Sequence, residues 1–156
     1  MRKRVLSIML FAAASGTVTA MADNAPLWLR DAAISPDGSR IAFTFKGDIY
    51  TVPTTGGKAS RLTALPSLEW APVWSPDGTK IAFATDRNGG SDIYIMGADG
   101  GHATRLTFDS ASETPEAFTP DGAEIVFSAA IQDAPSSVMF PTARLTEVYT
   151  VPAAGG

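Results

Sequence analysis

The residues that could carry out catalysis are few. His102 is the only histidine, and the chain has no cysteine. A serine nucleophile would therefore need His102 as its base, and a cysteine nucleophile, a disulfide or a zinc–thiolate site is excluded. His102 follows two glycines in a predicted surface turn, and Ser35 and Ser75 stand where a hydroxyl caps a turn. We therefore predict that this chain has no catalytic residue.

One stretch loosely resembles a calcium-binding loop. Asp86, Asn88, Gly90 and Asp92 alternate with other residues, as oxygen ligands do in such loops. The ligand at the fifth position, the glycine at the sixth and the distal glutamate of the calcium motif are absent. A flexible hairpin turn is the simpler interpretation, and we predict no metal and no cofactor.

Three aspartates recur in the same short sequence, Pro-Asp-Gly preceded by Ser or Thr. The copies are Pro36-Asp37-Gly38, Pro76-Asp77-Gly78 and Pro120-Asp121-Gly122, spaced by 40 and then 44 residues. The sequence suits a type I turn, with proline presetting φ and glycine supplying a left-handed residue at the end of the hairpin. An acidic ring around a channel mouth is the functional alternative. We interpret these residues as structural turns.

The turns imply paired strands on either side. An Ile-x-Phe sequence follows each turn at Ile41, Ile81 and Ile125, and the residue between is Ala or Val. Because strand side chains alternate, both faces of each sheet are apolar, as expected if sheets stack on both sides. Further copies follow each turn: Asp-Ile-Tyr or Glu-Val-Tyr, then Gly-Gly, and in the first two units Arg-Leu-Thr.

A unit of four strands in about 40 residues is typical of a β-propeller blade. We predict an all-β fold of about three four-stranded antiparallel blades, at about 27–63, 70–107 and 114–156, within a partial propeller over 23–156. Residues 64–69 and 108–114 are predicted to cross between blades. The third unit lacks its closing Arg-Leu-Thr strand, so we expect an open fragment of a larger propeller. On its own it should aggregate or melt with low cooperativity.

Aromatic residues at strand positions are predicted to fill the core between blades. They are Trp28, Trp70, Trp74, Tyr50, Tyr94 and Tyr149. Met139 and Phe140 stand instead in a long connection of the third unit. Apolar residues in a long loop often contact another domain, so we predict a partner-binding loop there.

The N-terminus has the pattern of a secretory signal peptide over 1–22. A basic start is followed by a short apolar run and an Ala-x-Ala site ending at Ala22. Removing its three basic residues changes the formal net charge from -4 to about -7. The remaining basic residues are scattered, which argues against nucleic acid and anionic lipid as partners. We expect an exported, periplasmic protein without a membrane span.

The repeats resemble those of TolB-type, WD-like propellers. The resemblance rests on Trp74-Ser75-Pro76-Asp77-Gly78, on 81–83, 92–94 and 105–107, and on their copies. The run 41–53 and the insertion around Met139-Phe140-Pro141 look like the start of exported tricorn-type serine peptidases. In that family the N-terminal propeller does no chemistry and is thought to filter or deliver unfolded peptides.

The resemblance implies a non-catalytic propeller of a periplasmic tricorn-like peptidase. Its partners would be the remaining blades and C-terminal domains of the parent protein, together with peptides. A TolB-like scaffold that binds envelope proteins, and the propeller of a prolyl-oligopeptidase-like peptidase, are the alternatives. TolB carries a separate domain before its propeller, whereas the repeats here begin directly after the predicted signal.

Overall fold

The protein is described by a computed structural model that covers residues 28–130 and 146–155. All regular structure in these residues is β-strand, in three antiparallel sheets. The first sheet has strand order β1-β2-β3-β4. Its strands are β1 (Leu29–Ile34), β2 (Arg40–Phe45), β3 (Asp48–Pro53) and β4 (Ser60–Arg61).

The second sheet repeats this order as β5-β6-β7-β8, and the third has the order β11-β10-β9. The second comprises β5 (Glu69–Trp74), β6 (Lys80–Thr85), β7 (Asp92–Gly97) and β8 (Gly100–Arg105). The third comprises β9 (Glu113–Phe118), β10 (Glu124–Ala129) and β11 (Glu147–Pro152). The predicted all-β class is confirmed, and we refer to the sheets as blades 1, 2 and 3.

The repeated turns join the first and second strands of each blade. The Gly78 amide donates to the Ser75 carbonyl oxygen at 2.9 Å, and the bonds from Gly38 to Ser35 and from Gly122 to Thr119 are each 2.8 Å. The three glycines have φ of 69 to 72°. A side chain is disfavoured in this left-handed region, which accounts for glycine at the end of each turn.

Blade 2 packs against blade 1 through one face and against blade 3 through the other. Ala42 and Ile49 of blade 1 pack with Ile81 and Phe83 of blade 2. On the other face of blade 2, Ala82 packs in a cluster that contains Ile125 and Phe127 of blade 3. Because side chains alternate along Ile-x-Phe, the middle residue lies in a different core from the Ile and Phe. In blades 2 and 3, the Ile and Phe side chains pack against the preceding blade.

The first strands of neighbouring blades lie side by side, since β1 contacts β5 and β5 contacts β9. Each of them carries a bulge, which lies opposite the repeated phenylalanine in blades 1 and 2 and next to it in blade 3. In blade 1 Arg30 pairs with Thr44 and Ala33 pairs with Ala42, which leaves two residues opposite Phe43. Such a bulge bends a strand and increases its twist, which suits the innermost strand of a blade.

The structure corrects several details of the sequence-based interpretation. Trp28 is not a core residue: it is a turn residue before β1, and 67% of its surface is exposed. Glu69 and Glu113 fall in the predicted crossings but begin β5 and β9, because they pair with Thr85 and Ala129 of their own blades. Trp74 and Tyr94 are buried as expected, whereas Trp70 is half-buried.

Two further predictions concern residues outside the described ranges. These are the signal peptide at 1–22 and the partner loop at Met139 and Phe140. In the part of the chain that is described, no helix is long and apolar enough to cross a membrane.

Candidate functional site

The carboxylate of each turn aspartate accepts hydrogen bonds from residues of its own turn. Asp77 accepts hydrogen bonds from the Ser75 hydroxyl at 2.6 Å and from the Thr79 amide and hydroxyl at 3.0 and 2.8 Å. The bond from Ser75, followed by those from Thr79, lowers the pKa of Asp77 to about 2. The Ser35 hydroxyl, with Ser39, lowers the pKa of Asp37 to about 2 in the same way. Asp121 keeps the pattern with Thr119, which lowers its pKa.

The three turns form a column across the blades. A Cβ built on Gly78 would lie 3.7 Å from Cδ of Pro36, and one built on Gly122 would lie 3.5 Å from Cδ of Pro76. Each proline therefore covers the glycine of the next blade. Because the aspartates are occupied within their turns, this end of the blades is explained by folding rather than by a ligand.

Ser75 and His102 do not form a catalytic pair. The Ser75 hydroxyl donates to Asp77 and accepts from the Lys80 amide at 2.9 Å, so its partners lie in its own turn. His102 is exposed on β8 beside Lys80 and Ala153. Neither arrangement provides the serine–histidine hydrogen bond that nucleophilic catalysis needs.

The candidate calcium residues are engaged in other contacts. Asp86 accepts from the Leu68 amide at 2.8 Å, and Asp92 forms an ion pair with Arg105 at 2.8 Å. Asn88 donates to the Tyr94 hydroxyl at 2.6 Å. Among the residues the structure describes, no group of three or more His, Asp or Glu side chains is arranged to hold a metal ion.

Two repeated motifs prove to be partners. Asp48 of the first Asp-Ile-Tyr pairs with Arg61 of the first Arg-Leu-Thr at 2.7 Å, and Asp92 pairs with Arg105 in blade 2. The arginine also donates from Nε to the threonine carbonyl oxygen two residues later, at 2.7 Å in both blades. Sequence reasoning identified both motifs without pairing them. The signal was present, since aspartate and arginine are separated by 13 residues in each repeat.

Glutamates at the start of the inner strands are fully buried between blades. Glu69 accepts from the Ser67 and Thr85 hydroxyls, and Arg87 lies 3.3 Å from its Oε1. Glu113 occupies the equivalent position in blade 3, where burial raises its pKa and Asp92 adds to the effect. Oε2 has no hydrogen-bond partner in either glutamate. These glutamates were not predicted from the sequence, although both stand five residues before the aromatic residue that precedes a turn.

A cleft opens between blades 1 and 2 at the opposite end from the repeated turns. It has a volume of about 710 Å³ and is lined by Trp28, Arg30, Asp31, Thr44, Lys46, Gly47, Leu68, Glu69 and Trp70. Lys46-Gly47 is the hairpin between β2 and β3, and Leu68 belongs to the crossing from blade 1 to blade 2. Crossings expose further apolar residues, with Leu65 at 49% and Phe108 at 66%. We call this end the crossing-loop end.

The backbone around the cleft is constrained. Trp28, Asp31 and Lys46 have φ of 83, 52 and 52°, and only Ala71 joins them among non-glycine residues in the described ranges. Asp31 accepts from the Thr44 hydroxyl at 3.2 Å and from the Ala71 amide of blade 2 at 3.3 Å. Such conformations persist where surrounding contacts hold them, and they cluster at functional sites.

The outer face of blade 1 is apolar and open. It forms a shallow depression of about 630 Å³. Its lining includes Ile41 and Phe43, whose counterparts Ile81 and Phe83 are fully buried by blade 1. This face therefore matches the one that blade 2 presents to its neighbour.

The stacked four-stranded sheets, bulged inner strands and repeated turns define the class of this protein: a β-propeller with TolB-type repeats. The family model of the tricorn protease N-terminal β-propeller domain matches residues 26–156. The chain belongs to this family.

Relatives support the assignment over shorter stretches. "Tricorn protease homolog 1" from Streptomyces coelicolor is 40% identical over 65 residues, which is 42% of this chain and 6% of that protein. A putative TolB from Agrobacterium tumefaciens is 31% identical with a TM-score of 0.64, covering 80% of this chain and 43% of that one. The tricorn protease structure has a TM-score of 0.59 at 14% identity, over 80% of this chain and 13% of that one, and shows the shared fold. The chain thus spans a small part of its curated relative.

Proposed function

We propose that this chain is the non-catalytic, peptide-handling propeller of an exported, periplasmic serine peptidase of the tricorn type. The observation that carries the proposal is the family match over 26–156, joined to the separate placement of Ser75 and His102. The Ser75 hydroxyl is bonded within its turn, and His102 is exposed on β8. Chemistry would then reside in other domains of the parent protein.

The physical role is steric. A closed ring of blades encloses a channel that admits an extended peptide and excludes a folded domain. Inner strands and their loops offer backbone groups that hold a peptide without reading its sequence. The crossing-loop end adds exposed apolar side chains such as Leu68 and Phe108, which suit unfolded rather than folded substrates.

Hydrolysis assays test this proposal. The purified chain should cleave no peptide, whereas the full-length protein that carries it should cleave short peptides and spare the same sequences inside folded domains. Cleavage by the purified chain that was lost in both Ser75→Ala and His102→Ala variants would overturn the proposal. A full-length protein without peptidase activity would do so as well.

A TolB-like scaffold that binds envelope proteins is the second candidate. It is favoured by the 31% identity to the putative TolB of Agrobacterium tumefaciens. The two proposed functions differ in the ligand that the propeller would bind. A scaffold should capture one folded envelope protein from a periplasmic extract, whereas a peptide-handling propeller should bind short peptides and no folded partner.

A further inference from the structure

We propose that the junction between blades 2 and 3 is a proton-sensitive contact, which is closed while the Glu113 carboxyl is neutral and loosens when this carboxyl ionises. The contact lies where the crossing from blade 2 enters β9. Glu69 occupies the equivalent position at the junction between blades 1 and 2, since each glutamate begins the inner strand of its blade. This property does not depend on the proposed function of the propeller.

Hydrogen-bond donors surround Glu69 at the first junction. Its Oε1 accepts from the hydroxyl of Ser67 and, at 3.3 Å, from the hydroxyl of Thr85. The guanidinium of Arg87 lies 3.3 Å from the same oxygen. Hydrogen-bond donors and a nearby cation favour the charged form of a buried carboxyl. The surroundings of Glu69 therefore stabilise its carboxylate.

Two of these donors are replaced by alanine around Glu113. The residue that pairs with Glu113 across the ladder is Ala129, where blade 2 has Thr85. The residue two positions before Glu113 is Ala111, where blade 2 has Ser67. No lysine or arginine of the described ranges forms an ion pair with Glu113. The second junction thus lacks most of the groups that would stabilise a charged glutamate.

Charged residues lie near Glu113 on the neighbouring elements. They are Asp92 on β7, Arg105 on β8, Asp109 in the crossing and, across Ala129, Glu147 on β11. Arg105 is already paired with Asp92 at 2.8 Å, and Glu147 is exposed. Burial has the largest effect and raises the pKa of Glu113, which is 1% exposed, above the ordinary 4.5. A hydrogen bond with the Thr107 hydroxyl opposes this effect, while the two aspartates add to it.

Two hydrogen bonds join blade 2 to blade 3 beside this carboxyl. The Glu113 amide donates to the Ser91 carbonyl oxygen at 3.0 Å, and the Ser91 hydroxyl donates to the Glu113 carbonyl oxygen at 2.6 Å. A buried charge without a partner is costly, and the cost is relieved when water reaches it. The closed contact is therefore fully stable below pH 4.5 and loses stability as pH rises through the folded pKa. The start of β9 then separates from Ser91.

Hydrogen exchange of the full-length protein, followed by mass spectrometry at pH 5 and pH 8, measures this opening. Each exchange rate is divided by the intrinsic rate at the same pH, so that only changes in protection remain. We expect the protection of the first residues of β9 to fall about tenfold at pH 8. The first residues of β5, around Glu69, should keep their protection and serve as the internal reference.

Two variants change the response and two serve as controls. Glu113→Gln should remove the pH dependence, because glutamine is of the same size and stays neutral. Ala111→Ser should reduce it, because serine restores the donor that Ser67 provides in blade 2. Glu116→Gln should retain the response, since Glu116 is an exposed glutamate on β9. His102→Gln should also retain it, and it excludes the exposed histidine of β8, because histidine side chains change charge between these pH values.

Equal protection around Glu113 at the two pH values would overturn the inference. So would an equal fall around Glu69, or a pH dependence that persists in Glu113→Gln. Equal melting temperatures at pH 5 show that the variants fold. If Glu113→Gln does not fold, the comparison of the two junctions in the unmodified protein and the response of Ala111→Ser decide the outcome: an undiminished fall in Ala111→Ser would then count against the role of the missing donors.

Discussion

At the scale of single residues, the repeated turn explains the most conspicuous motif of the sequence. The proline covers the next turn, the aspartate accepts hydrogen bonds, and the glycine adopts a left-handed φ. Aspartate in three equivalent places therefore needs no ligand to account for it.

Gly78→Ala should destabilise the protein by about 1 kcal/mol or more, because φ of 69° is strained for any residue with a Cβ. Denaturant unfolding of the full-length protein measures the change. Gly90→Ala is the control, since Gly90 is not among the positive-φ glycines and a Cβ there would meet only Ser110 O at 3.9 Å. Equal free energies of unfolding for the two variants would contradict the role assigned to Gly78.

Acid should weaken the turns. The pKa of Asp77 is about 2 in the folded protein against an ordinary value of 3.8, so its contribution to stability is present above pH 3.8 and is lost as pH falls towards 2. Asp77→Asn should therefore lower the melting temperature at pH 6 and converge with the parent protein near pH 2. An equal difference between the two proteins at both pH values would refute this assignment.

Glu113 should respond in the opposite direction. Its pKa is raised by burial, so the folded protein binds a proton more readily there than the unfolded chain does. The associated destabilisation is absent below the unfolded pKa and grows as pH rises through the folded value. Glu113→Gln should thus gain stability relative to the parent at pH 8 compared with pH 4, measured by thermal unfolding. A pH-independent difference would contradict it.

At the scale of elements, an ion pair joins the aspartate of Asp-Ile-Tyr to the arginine of Arg-Leu-Thr in blades 1 and 2. Asp92 is 1% exposed and Arg105 is 28% exposed, so the aspartate is desolvated while the arginine is not. Arg105→Met should cost about 2 kcal/mol, between the values for exposed and fully buried pairs. Adding Asp92→Asn should recover part of that loss, because no unpaired charge remains. A double variant whose loss equals the sum of the single losses would show that the pair contributes nothing.

The elements that could be predicted from sequence are those with a repeated local cause. Pro-Asp-Gly specifies a turn and Ile-x-Phe specifies a two-faced strand, so the blades and their stacking followed from the sequence alone. The cleft did not, because it depends on how a hairpin at Lys46 meets a crossing at Leu68. The buried Glu69 and Glu113 were also missed, since a lone acidic residue before a strand usually indicates a solvated loop.

At the scale of the whole molecule, the open face of blade 1 can be tested by making the same substitution at equivalent positions of blades 1 and 2. Ile41 and Ile81 occupy the same position, but only Ile81 is covered by a neighbouring blade. In the isolated chain, Ile81→Lys should prevent folding, while Ile41→Lys should reduce concentration-dependent association and leave the melting temperature nearly unchanged. Analytical ultracentrifugation and thermal unfolding measure these effects. If Ile41→Lys prevented folding as completely, the face could not be open in the isolated chain.

The similarity of the two junctions between blades has a consequence for how repeats can be gained or lost in evolution. Blade 2 meets blade 3 through the same kinds of side chain that blade 1 uses to meet blade 2, down to the proline that covers each glycine. A DNA duplication or deletion one repeat long therefore joins two surfaces that already fit. A change in copy number by recombination would then create no new kind of junction between blades.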